Sequence, residues 1–260
     1  MTSILRVDQV SKTFLRAQQR LAVLREVSVE IEQGTFVVIV GPSGCGKSTL
    51  LNLLAGLLAP ESGTVWYQGQ PVLAPSPSVG YLTQKETLMP WRSIESNIAL
   101  PLEIRGVKKA ERQRRVRELM ETVGLQGWEK QYPRELSGGM LRRASLARML
   151  VADPETLLLD EPFGALDAQL RLELQAELLR LWEQSGKSVL FVTHDLEEAL
   201  ALGDRVLVFA PQGQIVLDAQ VSLERPRDVA RIRFEPRFIA LYQRLWEALV
   251  KARAQQEVTA

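Results

Sequence analysis

Gly41-Pro-Ser-Gly-Cys-Gly-Lys-Ser48 fills every fixed position of the pattern G-x-x-x-x-G-K-[ST]. Each of those positions has a physical task. Gly41, Gly44 and Gly46 let the backbone turn tightly and bring its N–H groups to phosphate oxygens with no Cβ in the way. Lys47 carries a point charge toward β and γ phosphates, and the Ser48 hydroxyl suits Mg²⁺. The flanks agree. Phe36-Val-Val-Ile-Val40 is a short, branched, apolar run of the kind buried in a parallel sheet. Thr49-Leu-Leu-Asn-Leu-Leu-Ala55 begins a helix whose N-terminal dipole favours anions. The chain is therefore read as α/β, with a nucleotide-binding P-loop core. The expected nucleotide contacts are Gly41, Pro42, Ser43, Gly44, Cys45, Gly46, Lys47 and Ser48, with Thr49 just beyond them.

Outward from this loop the pattern changes along the chain. Ile4 to Val10 and Ser28 to Ile31 alternate apolar and polar residues, like antiparallel strands with one wet face. Thr64 to Tyr67 and Gly80 to Thr83 continue this β-rich beginning, separated by Gly and Pro breaks. From Glu95 to Leu150 the spacing is mostly helical. Strand signals return at Thr156–Asp160, Val189–Thr193 and Arg205–Phe209, with an amphipathic helix near Ala168 to Gln184 between the first two. The expected architecture is a parallel-sheet core (about 1–87 and 155–220), an antiparallel β subdomain at its front and a helical insert (about 88–154). After residue 236 a last amphipathic helix is expected, with Phe238, Leu241, Tyr242, Leu245, Trp246 and Leu249 along one face, docked on the chain's own core, with a partner surface as the alternative.

Bulk composition excludes several classes. Of 260 residues, 46% are hydrophobic and 24% charged, the balance of a globular protein. Thirty-two basic and thirty-one acidic side chains nearly cancel, so no global charge favours nucleic acid. One cysteine excludes an internal disulfide and fits a reducing compartment. No apolar run approaches the ~20 residues needed to span a bilayer, and Met1 to Asp8 lacks the apolar core of a signal peptide. The chain is expected in the cytosol, with any membrane role supplied by a partner.

Three further motifs carry chemistry. Leu157-Leu-Leu-Asp160-Glu161 is an apolar strand ending in two carboxylates, and the carboxyl ends of parallel strands face the ligand crevice. Asp160 suits the Mg²⁺ side, and Glu161 suits a general base acting on water at the γ phosphate. His194, the only histidine, ends the strand Val189–Thr193 and should reach the same crevice edge, where an imidazole can hold the attacking water. Leu136-Ser-Gly-Gly-Met140 opens a helix, with Ser137 as N-cap and two glycines exposing N–H groups at the positive dipole end, a second anion site.

With these residues in order, the chain resembles the ATPase subunits of ATP-binding cassette (ABC) transporters over residues 4–236. Gly41–Ser48 is similar to the Walker A loop, Leu157–Glu161 to Walker B, and Leu136–Met140 to the family signature. Gln84 resembles the Q-loop glutamine, which also faces the metal, Ala165-Leu166-Asp167 the D-loop, and His194 the switch histidine. Phe14 falls where the family stacks an aromatic ring on adenine. The resemblance implies a homodimer, or a pair with a similar subunit, holding two ATP molecules and Mg²⁺. Each nucleotide would lie between one chain's Walker A loop and the other's Ser137, Gly138 and Gly139. It also implies peripheral location on the cytoplasmic face of the inner membrane, beneath permease subunits whose cytoplasmic helix enters a groove of the helical insert. A solute-binding protein acts with them indirectly. Leu88-Met-Pro-Trp91, the run Glu161 to Asp167 and Leu181-Trp182 resemble importers of nitrate, sulfonates and taurine.

Leu141 departs from the family pattern, where Gln or Arg is common, which bears on coupling or the dimer edge. The basic run Lys108 to Arg115 reads first as a solvated helix face, second as a contact to anionic lipid headgroups or a partner loop, and third as a nucleic-acid patch. Cys45 occupies a variable position of the loop and need not act, but a thiol near a helix N-terminus can have a lowered pKa, and its alkylation is expected to block ATP binding, with ATP protecting. Two rival functions are a cassette ATPase acting on DNA or ribosomes and a regulatory module that holds ATP without turnover. Against the first stands the lack of a second cassette, coiled coil or zinc cysteines in this sequence; against the second stand Glu161 and His194.

Overall fold

Runs of branched apolar residues with both faces dry set the centre of this molecule, and half-wet alternating strands set its flank. The computed structural model describes residues 3–16, 19–164 and 166–259. In chain order these form β1 (Ser3–Arg16), β2 (Gln19–Glu32), β3 (Phe36–Val40), α1 (Lys47–Leu54), β4 (Ser62–Tyr67), β5 (Gln70–Pro71), β6 (Val79–Leu82), α2 (Ile94–Ile104), α3 (Lys109–Thr122), α4 (Gly138–Leu150), β7 (Thr156–Asp160), α5 (Ala168–Ser185), β8 (Ser188–Val192), α6 (Leu196–Leu202), β9 (Arg205–Phe209), β10 (Ile215–Gln220) and α7 (Pro236–Thr259).

One sheet runs in the order β10-β9-β3-β8-β7-β6, and all its pairings are parallel except β10 with β9. Every residue of β3, β7 and β8 is buried, as a sheet covered on both faces requires. The other sheet, β2-β1-β4-β5, is antiparallel. Side chains of β3 alternate between two cores. Phe36, Val38 and Val40 pack with α5, α6 and α7; Val37 and Ile39 pack with α1 and the antiparallel sheet. A third core, built from Ile94, Ile98, Leu102, Val116, Met120 and Ala147 among others, holds α2, α3 and α4 together. The fold is the expected α/β class with an antiparallel β portion and helices between β6 and β7.

Two expectations need correction. Gly80 to Thr83 does not continue the antiparallel sheet: Val79–Leu82 pairs in parallel with Thr156–Leu159 at the edge of the other one. Alternation reveals a strand but not its neighbour. Gly80 suits this place, since a Cβ there would lie 2.7 Å from Pro154 Cγ and 2.9 Å from Met149 Cγ, so a glycine lets α4 and the loop before β7 pack closely over the strand. In α7, Phe238, Leu245 and Leu249 are buried in the core as expected, but Trp246 is 46% exposed. The buried stripe advances to Ala252 rather than widening to Trp246.

Asn97, fully buried in α2, pins the preceding segment: its Nδ2 donates to Met89 O, Arg92 O and Ser93 O, and its Oδ1 accepts from Met89 N. Trp91, within that segment, is left 74% exposed. The basic face of α3 is solvated, with Arg114 paired to Glu111 and Glu118 on the same helix. No helix among the described residues is long and apolar enough to cross a membrane.

Candidate functional site

Because β3, β6, β7 and β8 are parallel, they deliver their carboxyl-terminal residues to one edge. From β3 comes the glycine-rich loop, from β6 Thr83-Gln84, from β7 Asp160-Glu161, and from β8 Thr193-His194.

In the loop, Gly46 has φ +108°, and a Cβ there would sit 2.5 Å from Leu24 Cδ2 and 2.8 Å from Val23 O. Only glycine fits on both counts. Gly46 is also the N-cap of α1 and offers no side chain to the helix's first N–H groups, as an anion-binding helix start requires. Lys47 is buried, and its Nζ donates to Gly41 O at 2.7 Å and Pro42 O at 2.9 Å. The ammonium is thereby held within the turn.

Asp160, 3% exposed, lies beside Ser48 at the end of β7. Burial pushes its carboxyl above the usual range, with the charge of Glu161 adding; the Ser48 hydroxyl and the charges of Lys47 and Arg142 oppose. A desolvated carboxylate beside a hydroxyl is a hard oxygen pair seeking positive charge, which suits Mg²⁺ bound by few protein groups and by phosphates. Among the described residues no group of three or more His, Cys, Asp or Glu forms a separate metal cage.

Glu161 Oε2 accepts from Gln84 Nε2 at 3.1 Å and lies 3.5 Å from His194 Nδ1. Residues delivered by β6 and β8 thus converge on the carboxylate that ends β7. They line a cleft of about 310 Å³ together with Glu86, Gly138, Arg142, Pro162, Gly164 and Leu166.

The other expected residues lie around this edge. Ser137 caps α4, accepting from Met140 N, and Asp167 caps α5, accepting from Leu170 N at 3.0 Å. Gly139 packs so closely on α5 that a Cβ would meet Leu170 Cδ2 at 2.4 Å, whereas nothing lies within 4 Å of a Cβ on Gly138. Phe14 is 37% exposed on β1, with Lys12 Nζ 5.8 Å from its ring centroid. Ala165 of the expected D-loop lies outside the described residues.

Cys45 departs from expectation. It is 1% exposed, and burial raises its pKa, outweighing the opposing charge and hydrogen bond of Lys47. Enclosure by Gly41 and the core overrides the helix end. We therefore expect iodoacetamide to label native Cys45 far more slowly than the unfolded chain, with a rate still climbing above pH 9. Rapid labelling at pH 7 that ATP blocks would restore the reactive-thiol reading.

Sequence reasoning missed several supporting residues. Arg171 Nη2 donates to Leu166 O at 3.1 Å and Nη1 to Asp195 Oδ2 at 3.4 Å, joining the turn before α5 to the turn after His194. Glu198, 5% exposed, accepts from Thr193 Oγ1 and Gln175 Nε2 directly behind His194, and burial raises its pKa. Arg142 is buried beneath Glu161. Long-range pairings of this kind leave no local signal; the doublet Arg142-Arg143 shows only two adjacent bases until the helix register assigns one inward.

Comparison with known proteins points the same way. Residues 24–164 match the ABC transporter family. The taurine import ATP-binding protein TauB of Pseudomonas aeruginosa is 44% identical over 248 residues, 94% of each chain. The aliphatic sulfonates import ATP-binding protein SsuB of Bacillus cereus is 42% identical over 230 residues, 88% of this chain and 90% of that one. A dimeric post-hydrolysis structure of an ATP-binding cassette with ADP and Pi superposes with a TM-score of 0.77 at 29% identity, over 85% of this chain and all of the other. The chain belongs to the ABC transporter family, as one of its ATP-binding, ATP-hydrolysing subunits.

Proposed function

We propose that this chain powers uptake of a small anionic solute of the taurine, sulfonate or nitrate kind. It would act as a homodimer on the cytoplasmic face of the membrane, beneath two permease subunits served by a solute-binding protein. The observation that carries the hydrolytic part is the meeting of Gln84, Glu161 and His194 at the edge that also presents Lys47, Ser48 and Asp160. The names of the relatives, importers of taurine and aliphatic sulfonates, support the solute class.

In this reading Lys47 and the amides of residues 41–48 hold the β and γ phosphates, and Phe14 stacks on adenine. Ser48, Asp160 and Gln84 would hold Mg²⁺, which when bound neutralises charge on the β- and γ-phosphate oxygens. Glu161 accepts a proton from the attacking water, whose oxygen bonds to the γ phosphorus as the bond to the ADP oxygen breaks. Gln84 and His194 orient that water and the γ oxygens. Ser137, Gly138 and Gly139 of one protomer close on the nucleotide held by the other, with Asp167 at the same seam. ATP binds the closed form better, and hydrolysis releases it.

Coupling to the permease has a physical seat in this scheme. A groove of about 250 Å³ runs behind Gln84, lined by Leu82, Thr83, Lys85, Thr87, Arg105 and Arg148 among others, and would receive a permease helix. Movement there reaches the carboxylate through Gln84.

The test is reconstitution in vesicles with the permease and solute-binding protein recovered with this chain from membranes. ATP hydrolysis is expected to rise when the binding protein carries taurine, an alkanesulfonate or nitrate. No stimulation by any of the three, or co-purification with ribosomes or DNA instead of membrane subunits, would overturn the proposal.

A further inference from the structure

We infer that Arg142 is a positioning residue for hydrolysis, one that locks both ends of the Gln84–Glu161 hydrogen bond and ties them to the helix bearing the signature turn. This rests on the proposed role of Glu161 as base. Arg142 is 6% exposed in the second turn of α4, five residues after the cap Ser137. Its Nε donates to Pro162 O at 2.6 Å, Nη2 to Asp160 O at 3.1 Å and Glu161 O at 3.2 Å, and Nη1 to Thr83 O at 2.7 Å. One planar, rigid fork therefore holds three consecutive carbonyls around Glu161 and the carbonyl just before Gln84.

The need for such a clamp is visible in the backbone. Glu161 has φ +45°, a left-handed conformation that a non-glycine residue keeps only where its surroundings over-determine it. Glu161 N bonds Val192 O at 2.9 Å from one side, and Arg142 closes the other. That twist aims the carboxylate at Gln84 and His194 rather than along the strand. Arg142 forms no ion pair within 4 Å among the described residues. Desolvation lowers its pKa, with only longer-range opposition from Glu86 and Asp160. A buried cation satisfied by carbonyls alone is a poor choice for packing, since an apolar side chain of similar size would avoid the desolvation. Its geometry answers instead to the placement of peptides.

Because Arg142 touches neither water nor phosphate in this scheme, its loss should misplace the base without emptying the nucleotide site. The experiment compares Arg142→Gln and Arg142→Lys with the parent protein for kcat, ATP affinity and thermal stability, each also in a Glu161→Gln background. Arg142→Gln is expected to lower kcat about 10²-fold, the scale of a 1 Å misplacement, with ATP affinity unchanged. Arg142→Lys should recover part of the loss, having donors but no fork. In the Glu161→Gln background the Arg142 change should reduce residual turnover no further, because the two act as one unit. Three results would overturn the inference: undiminished kcat in Arg142→Gln, a kcat loss matched by lost ATP binding in folded Arg142→Lys, or full additivity with Glu161→Gln. A fully active Glu161→Gln single variant would instead sink the base assignment, so the two failures are distinguishable.

Discussion

Glu161→Gln is expected to bind ATP with parent affinity and to turn it over about 10²–10⁴-fold more slowly, the range typical for loss of a general base. Glutamine has the same shape, so the turn at φ +45° and the buried fork of Arg142 beneath it should survive. On the proposed mechanism, what disappears is the acceptor for the water proton, together with the carboxylate that faces His194 Nδ1. ATP would then stay in place with its γ phosphate intact, and the closed dimer should accumulate. Radiolabelled phosphate release and equilibrium ATP binding, measured on the same preparation, check both halves. Parent-level turnover would remove Glu161 from the mechanism.

Gly138→Asp is the second large effect. Inside its own chain this position is open, with nothing within 4 Å of a Cβ. Aspartate in the first turn of α4 also complements the helix dipole, so the fold should be no less stable. If the signature turn faces the γ phosphate of a nucleotide bound by the second protomer, a carboxylate there meets like charge at close range, a penalty of several kcal/mol. Turnover should fall by about 10²-fold or more, while each protomer still binds ATP through its own Lys47 loop. Gly139 offers no such clean test, because a side chain there collides first with Leu170.

Much of this edge is legible in the sequence because parallel strands announce themselves twice, by an apolar run and by the polar residues at its carboxyl end. Val40, Asp160 and Thr193 each close such a run, and topology alone then brings the loop, Glu161 and His194 together. Where the signal is not local, the sequence misleads. The choice of β7 as the partner of β6 is a long-range pairing that alternation does not reveal, and the outward turn of Trp246 depends on how α7 rolls on its core. A helix end suggests a reactive Cys45, whereas burial decides its chemistry. The clamps Arg142 and Arg171 act through carbonyls of distant turns, and a carbonyl has no sequence identity to read.

The account turns on one nucleotide being gripped by two copies of this chain, and light scattering with Mg-ATP tests that most directly. The Glu161→Gln protein should run as a monomer without nucleotide and as a dimer with ATP. The Glu161→Gln, Gly138→Asp double variant should still bind ATP through its own Lys47 loop, losing only the affinity that closure adds, and should stay monomeric when saturated. Dimerisation of the double variant at the same ATP concentration, or no ATP-driven dimer from Glu161→Gln at all, would contradict it.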